Sequence, residues 1–355
     1  MLGLCYDESM KAVIFKGKDD VVLGERPDPT IQQPTDAIVR VVRGCVCGSD
    51  LWYYRGINPH KVGSIGHEFI GVVEQVGKGI SDKKVGDFVV APFQYSDGSC
   101  VFCKSGVPTS CIRGGGFGNG ENDGGQGEAV RVPFADYVLI KVPGSKPSDE
   151  TLASLMALSD VMCTGHHAAV SSGMKQGDTV AVVGDGAVGL CAVIAAKRLG
   201  ANRIIALSRN PARQKLATTF GATDIVPERG DEAVKAVMKL VDGVGVDAVL
   251  ECVGTNESMD TAVKIARPGS TIGAVGHPAH VEIPYAEMFF KNVGIQGGIA
   301  PARLYIPELM KDVLAGKINP GLIFDFETDL EHIKDAYDAM DERRAIKSLL
   351  RVSEP

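Results

Sequence analysis

Apolar and polar positions alternate in short runs from Met10 to Val90. The clearest are AIVRVVRGC and FIGVVEQVG, with turn residues between runs. A period of two predicts an all-β region. Lys84-Val85-Gly86-Asp87 reads as the turn before a strand at Phe88–Val90. Tyr95–Gly127 is poor in core-forming residues, and its glycine-dense part, Gly114–Gly127, reads as a mobile loop. Phe134–Val142 reads as a return to strand, followed by a turn-rich break at Pro143-Gly144-Ser145-Lys146-Pro147. From Ser148 the pattern becomes helical, and Ser148-Asp149-Glu150 suits a helix start.

The second half carries a different pattern. A β-branched run, Thr179–Val183, leads through a glycine loop into a helical stretch, Leu190–Leu199. A second strand follows at Arg203–Leu207. Further strand–helix units start at Asp247–Glu251, Ser270–Val275 and Val293–Gly298. Such repetition predicts a doubly wound parallel sheet, an α/β fold joined to the preceding β region. Two closing amphipathic helices, Pro307–Ala315 and Leu330–Met340, read as rejoining the first domain.

At 355 residues the chain has room for two domains. A net charge of −7 argues against nucleic acid or an anionic membrane as partner. No apolar run approaches the ~20 residues a membrane span needs, and no secretory signal opens the chain. These features point to the cytoplasm. Met1–Ser9 reads as an extension before a first strand at Met10. Of the nine cysteines, Cys100, Cys103 and Cys111 cluster. In a reducing compartment such clusters favour metal over disulfide.

Two groups of residues have metal-binding chemistry. Cys47, in Cys-Gly-Ser-Asp, and the triplet Gly66-His67-Glu68 offer a thiolate, an imidazole and a carboxylate. Asp160 adds a carboxylate among apolar residues, where it needs a partner; a capping or turn role is the plainer alternative. Cys45 reads as a buried small hydrophobe. The second group is the knuckle Cys100-x-x-Cys103 with Cys111. Asp97 lies three residues before Cys100, as Cys100 does before Cys103, which makes it the natural fourth ligand of a closed site. Asp is also common in turns, and that reading leaves the knuckle incomplete.

Gly184-Asp185-Gly186-Ala187-Val188-Gly189 stands between strand and helix, where a dinucleotide fingerprint belongs. Its glycines let backbone approach a pyrophosphate at a helix N-terminus. An NAD site places an acid at the end of the second strand. Here that end is Ser208-Arg209, and no Asp or Glu occurs from Gly186 to Thr223. A hydroxyl and a guanidinium suit a 2′-phosphate, so NADP(H) is expected, with Arg213 nearby. Val253, Gly254 and Gly276 follow later strands and are expected near the cofactor.

With these motifs in this order, the chain from Met10 onward resembles the zinc-dependent medium-chain alcohol dehydrogenases. The resemblance implies a GroES-like β-barrel catalytic domain, residues 10–163 and 302–355, with a Rossmann domain, 164–301, inserted. It implies a cleft between them, and a homodimer or homotetramer. Asp160 and Ser208-Arg209 resemble the bacterial NADP-dependent secondary alcohol dehydrogenases. Asp97 stands where most members carry a first knuckle cysteine, and Trp52 where many carry a relay histidine.

On this basis a catalytic zinc is expected on Cys47, His67 and Asp160, with Glu68 as a transient fourth donor, and a structural zinc on Asp97, Cys100, Cys103 and Cys111. Ser49 is expected to carry the alcohol proton, and Asp50 to orient His67. Trp52 and Phe93 are candidates for an apolar pocket around a small alcohol or carbonyl, or for core. A polyol, threonine or amino-alcohol dehydrogenase is the nearest rival. A non-catalytic NADPH-binding redox sensor is the rival of another kind, though a mere binder needs no open metal site.

Overall fold

A computed structural model describes residues 9–144, 147–277 and 281–355. Residues 1–8 of the expected extension, and Ser145 and Lys146 of the expected break, lie outside them. The chain divides into two compact units, one running to Asp160 and resuming at Pro301, the other spanning Val161–Ala300.

The first unit is built on the strand Ala37–Cys45. It is flanked on both sides, by Phe69–Val76 and by Lys347–Arg351, and eight of its nine residues are buried. Arg43 is buried along with the apolar positions, while Arg40 is half-buried. The sheet continues outward through Phe88–Val90 to Ile140–Lys141 on one side, and through Lys347–Arg351 to Phe324–Asp329 on the other; Ala129–Val132 also pairs Ala37–Cys45. A smaller sheet holds Asp20–Pro27, Ser9–Gly17 and Gly63–Ser64. Val39, Val41, Phe69, Val73, Val89 and Leu139 pack one core. Val13, Phe15, Val46, Ile65, Tyr337 and Leu350 pack another.

Two sequence expectations need correction here. Phe134–Val142 is not one strand. Phe134 takes a left-handed conformation, Ala135–Val138 forms a helical turn, and only Ile140–Lys141 is strand. The turn is fixed from outside: Asp136 accepts hydrogen bonds from the backbone N–H groups of Ser81 and Asp82, a tertiary tie that overrides strand propensity. The glycine-dense stretch 114–127 is not a loose loop. Gly115–Gly116 pairs with Gln94–Tyr95, and Gly125 N–H donates to the Gly66 carbonyl at 2.9 Å. A Cβ at Gly124 would lie 2.2 Å from the Ile65 carbonyl oxygen. The missing side chains permit backbone-to-backbone packing behind Gly66-His67-Glu68.

The second unit is a six-stranded, all-parallel sheet. Its spatial order is Asp224–Val226, Arg203–Leu207, Thr179–Val183, Val246–Glu251, Ala266–Ala274, Gly294–Gly297. The order reverses beside Thr179–Val183, the switch point where doubly wound sheets bind ligands. The helix Ala187–Arg198 packs closely on Val161–Ser171, and at Gly165 a Cβ would meet the Ala192 backbone nitrogen at 2.5 Å. Among the described residues no helix is long and apolar enough to cross a membrane.

The closing helices Ala302–Leu314 and Ile333–Asp341 belong to the first unit. The strands Phe324–Asp329 and Lys347–Arg351 were not expected. They are short; Lys347–Arg351 pairs with Ala37–Cys45 some 300 residues earlier, and among the described residues Phe324–Asp329 pairs only with Lys347–Arg351, which periodicity cannot show.

Candidate active site

Three segments of the first unit bring ligand-type side chains together. Cys47 follows the end of Ala37–Cys45. His67 and Glu68 precede Phe69–Val76, the antiparallel neighbour, with Gly44 opposite Phe69. End and start therefore meet at one sheet edge. Asp160 comes from the turn between helices Asp149–Ala157 and Val161–Ser171, not from within one long helix. That turn is tied down by Ser159, whose hydroxyl donates to the Ala91 carbonyl at 2.6 Å, and by Phe93 N–H, which donates to the Ser159 carbonyl at 3.1 Å.

One potential ligand atom from each of Cys47, His67, Glu68 and Asp160 lies within 4.8 Å of the others. Cys47 Sγ is 3.7 Å from Asp160 Oδ2, and His67 Nε2 is 3.4 Å from the same oxygen. Glu68 Oε1 is 4.0 Å from His67 Nε2. Tetrahedral zinc with bonds of about 2.0–2.3 Å sets its ligands about 3.3–3.8 Å apart. The two distances to Asp160 Oδ2 fit that geometry, and Glu68 sits one step further from His67. The charge balance fits as well. Burial, then Glu68, pushes the Cys47 thiol up. Burial would lower the His67 imidazole, but Cys47, Asp50 and Asp160 together lift it well above its usual value. So crowded a set of anionic donors is stabilised by a divalent cation.

The surrounding shell is polar and connected. Asp50 Oδ1 lies 3.4 Å from His67 Nδ1, while Oδ2 accepts from Cys47 N–H at 2.9 Å and from the Gln126 amide at 3.2 Å. Gln126 also accepts from the Tyr337 hydroxyl at 3.0 Å. Ser49 precedes the helix Asp50–Tyr54, and its hydroxyl does not cap that helix. Trp52 sits on the helix, half-buried. The Phe93 ring stands edge-on to His67, with centroids 6.3 Å apart. Cys45 is buried and outside the ligand group.

Asp97, Cys100, Cys103 and Cys111 form a second group of the same kind. Cys100 Sγ is 3.5 Å from Cys103 Sγ and 3.7 Å from Cys111 Sγ. Backbone N–H groups of Cys103 and Ile112 bring the Cys100 thiol down to about 7, toward the thiolate that metals need. Asp97 is engaged on both oxygens: Oδ1 accepts from the Ser99 and Cys100 N–H groups at 2.6 and 2.9 Å, and Oδ2 pairs with Arg113 at 2.7 Å. The Ser99 and Cys100 N–H groups and Arg113 hold its carboxyl well below the usual range. It is a turn former whose carboxylate lies beside the three thiols.

In the second unit, Gly184-Asp185-Gly186 joins Thr179–Val183 to the helix Ala187–Arg198. A Cβ at Gly189 would lie 2.0 Å from the Gly184 carbonyl oxygen, so helix and loop close up only around glycine. At Gly186 a Cβ would meet nothing within 4 Å, leaving open space where a phosphate can approach the backbone at the start of Ala187–Val188. Val253 and Gly254 donate backbone N–H bonds to Glu251 at 2.9 and 2.8 Å. A Cβ on Gly276 would lie 2.2 Å from Gly254 N, so these two strand-end loops pack backbone on backbone. Ser208 is buried and Arg209 exposed at the end of Arg203–Leu207.

Residues near these sites that the sequence did not single out include Gln126 and Tyr337 beside Asp50, Arg113 on Asp97, Lys347 and Asp185. Lys347 Nζ lies 2.7 Å from Glu68 Oε1, and both side chains are sealed from solvent. Nothing in the sequence marks it, since the contact spans 279 positions. Asp185 Oδ2 accepts from the Ser208 hydroxyl at 2.9 Å, and its Oδ1 lies 3.4 Å from Arg213 Nη1. An acid within the glycine loop is the available signal, one residue ahead of the acid-free run that starts at Gly186.

Comparison with known proteins follows the same division. Residues 33–144 match the alcohol dehydrogenase GroES-like domain family, and residues 187–315 the zinc-binding dehydrogenase family. Zinc-type alcohol dehydrogenase B of Aspergillus flavus is 34% identical, over 98% of this chain and 82% of that protein. The alcohol dehydrogenase TADH from Thermus sp. ATN1 superposes with a TM-score of 0.90 at 36% identity, covering 97% of this chain and all of that one. A Sinorhizobium meliloti 1021 structure named as a zinc-binding dehydrogenase and bound to NADP superposes with a TM-score of 0.82 at 25% identity, covering 97% and 99%.

Proposed function

Because the chain belongs to the zinc-dependent medium-chain alcohol dehydrogenases, we propose roles for its own residues in interconverting an alcohol with a ketone or aldehyde. The observation that carries the reading is the convergence of Cys47, His67 and Asp160 within ligand distance. A zinc ion held by these three supplies Lewis acidity to the substrate oxygen. Asp50 orients His67 through Nδ1, leaving Nε2 as the donor. Glu68, paired with Lys347 one step further out, is the reserve donor that would take the fourth position while substrate and water exchange. Ser49 carries the hydroxyl proton away; its side chain is not consumed as a helix cap. Phe93 and Trp52 give the substrate side an apolar lining. Asp97, Cys100, Cys103 and Cys111 hold a structural zinc that pins a loop without a core of its own.

Hydride chemistry belongs to the nicotinamide cofactor. Gly184–Gly189 receives its pyrophosphate, and Val253, Gly254 and Gly276 shape the neighbouring strand ends. Ser208 and Arg209 favour the 2′-phosphate of NADP(H). We place the enzyme in the cytoplasm, where the knuckle thiols stay reduced. Its strand Gly294–Gly297 is a sheet edge, and Tyr285, Phe289 and Phe290 are exposed nearby, which supports assembly with further copies. The test is NADPH oxidation over a panel of small ketones and aldehydes, before and after chelation. Turnover lost with zinc and restored by it supports the reading. NADPH binding without turnover on any substrate supports the redox-sensor alternative.

A further inference from the structure

The second strand of this sheet ends without an acid, yet an acid stands beside that end. Thr179–Val183 runs parallel to Arg203–Leu207, with Val183 opposite Leu207. The residues just past each strand are therefore neighbours at one sheet edge. Asp185, two residues past Val183, reaches Ser208 across that edge at 2.9 Å. It also pairs with Arg213, whose Nη1 lies 3.2 Å from the Asp185 carbonyl oxygen and 3.4 Å from Oδ1. The carboxylate is largely sealed from solvent, its side chain 12% exposed.

We propose that Asp185 is a specificity-determining residue for the adenosine 2′ position. The inference rests on the dinucleotide reading above and deepens it. In sheets of this kind the strand-end acid accepts a hydrogen bond from the ribose 2′-hydroxyl of NAD. Here the neighbouring loop supplies a carboxylate at the same edge. Asp185 accepts from that hydroxyl and opposes a 2′-phosphate in two ways. Its charge repels the phosphate, and it already engages the Ser208 hydroxyl and the Arg213 guanidinium, the buried groups that would greet it. Arg209, exposed, is left to favour the phosphate. Preference is then a balance between Arg209 and Asp185, and the enzyme accepts both NAD(H) and NADP(H).

The test compares the full chain with Asp185→Asn, which keeps the shape and removes the charge. Adenosine 2′,5′-bisphosphate and AMP are used as inhibitors, because they read the ribose subsite without the nicotinamide. kcat/KM is measured for NADP+ and NAD+ alongside. In Asp185→Asn the bisphosphate binds tenfold tighter or more relative to AMP, and the NADP/NAD ratio rises by a similar factor. Unchanged discrimination in both assays overturns the proposal while leaving the dinucleotide reading intact. Failure of the parent enzyme to bind either nucleotide defeats both. Asp185→Ala, expected to move the same way, serves if the first variant does not fold. The parent's own NADP/NAD ratio tests the NADP(H) reading separately.

Discussion

The Glu68 carboxylate and the Lys347 ammonium meet at 2.7 Å, each side chain shut away from solvent. Lys347 also donates to the Val46 carbonyl at 3.1 Å, and so ties the last strand to the segment that carries Cys47. Among the described residues Glu68 Oε2 is buried without a hydrogen-bond partner. Removing one member of such a pair strands the other. Lys347→Met is expected to destabilise the chain by about 3–5 kcal/mol. Adding Glu68→Gln should restore a large part of that, and denaturant midpoints of the single and double variants decide it. A double variant no more stable than Lys347→Met would show that the loss is one of packing rather than charge.

Gly118 lies directly behind the metal-site triplet. Its φ is +60°, and a Cβ there would stand 2.2 Å from the Gly66 carbonyl oxygen. Gly118→Ala is expected to cost about 2–3 kcal/mol from strain and displacement. Because the displaced segment carries His67, zinc should also leave faster at a fixed chelator concentration. Unaltered stability and unaltered metal release would mean the loop gives way freely.

These two relationships show where the sequence was readable and where it was not. Cys47 and His67 announce themselves through short motifs whose chemistry is local. Asp160 was visible as an acid among apolar neighbours, but its place in a turn depends on Ser159 and Phe93 bonding across to it. Lys347 carries no local mark, because its role appears only when Lys347–Arg351 docks against Ala37–Cys45. The glycines of 114–127 looked like freedom and proved to be close backbone approach. The strand–loop–helix repeat of the second unit was legible because each parallel step repeats one local pattern. The direction in which Asp185 points was not, since the register of Thr179–Val183 against Arg203–Leu207 sets it.

Arg209→Asp is expected to move cofactor preference toward NAD(H). Charge-assisted hydrogen bonds to a phosphate contribute about 1.5–3 kcal/mol, roughly tenfold to a hundredfold in the NADP/NAD ratio of kcat/KM. An unchanged ratio would remove Arg209 from the 2′ subsite.

Asp224 accepts two hydrogen bonds from the Arg203 guanidinium, at 2.7 and 2.9 Å, and these bonds hold its carboxyl below the usual range. A depressed carboxyl contributes stability that is present above its unfolded pKa, about 3.9, and is lost as pH falls through the folded value. Arg203 is one-third exposed, so the contribution is discounted for solvent screening. Asp224→Asn should therefore be less stable by about 1 kcal/mol near pH 7, with the difference closing below about pH 3–4. Unfolding midpoints across that range check it; a gap that persists in acid would assign the loss to shape.

Zinc content measured on the purified parent and on Cys47→Ser, His67→Ala and Asp160→Ala reaches the central claim most directly. One open and one closed site predict about two zinc ions per chain in the parent. Each variant should fall to about one, still bind NADPH, and lose turnover. A variant that keeps the parent's zinc and activity would contradict the claim that these three side chains share one metal.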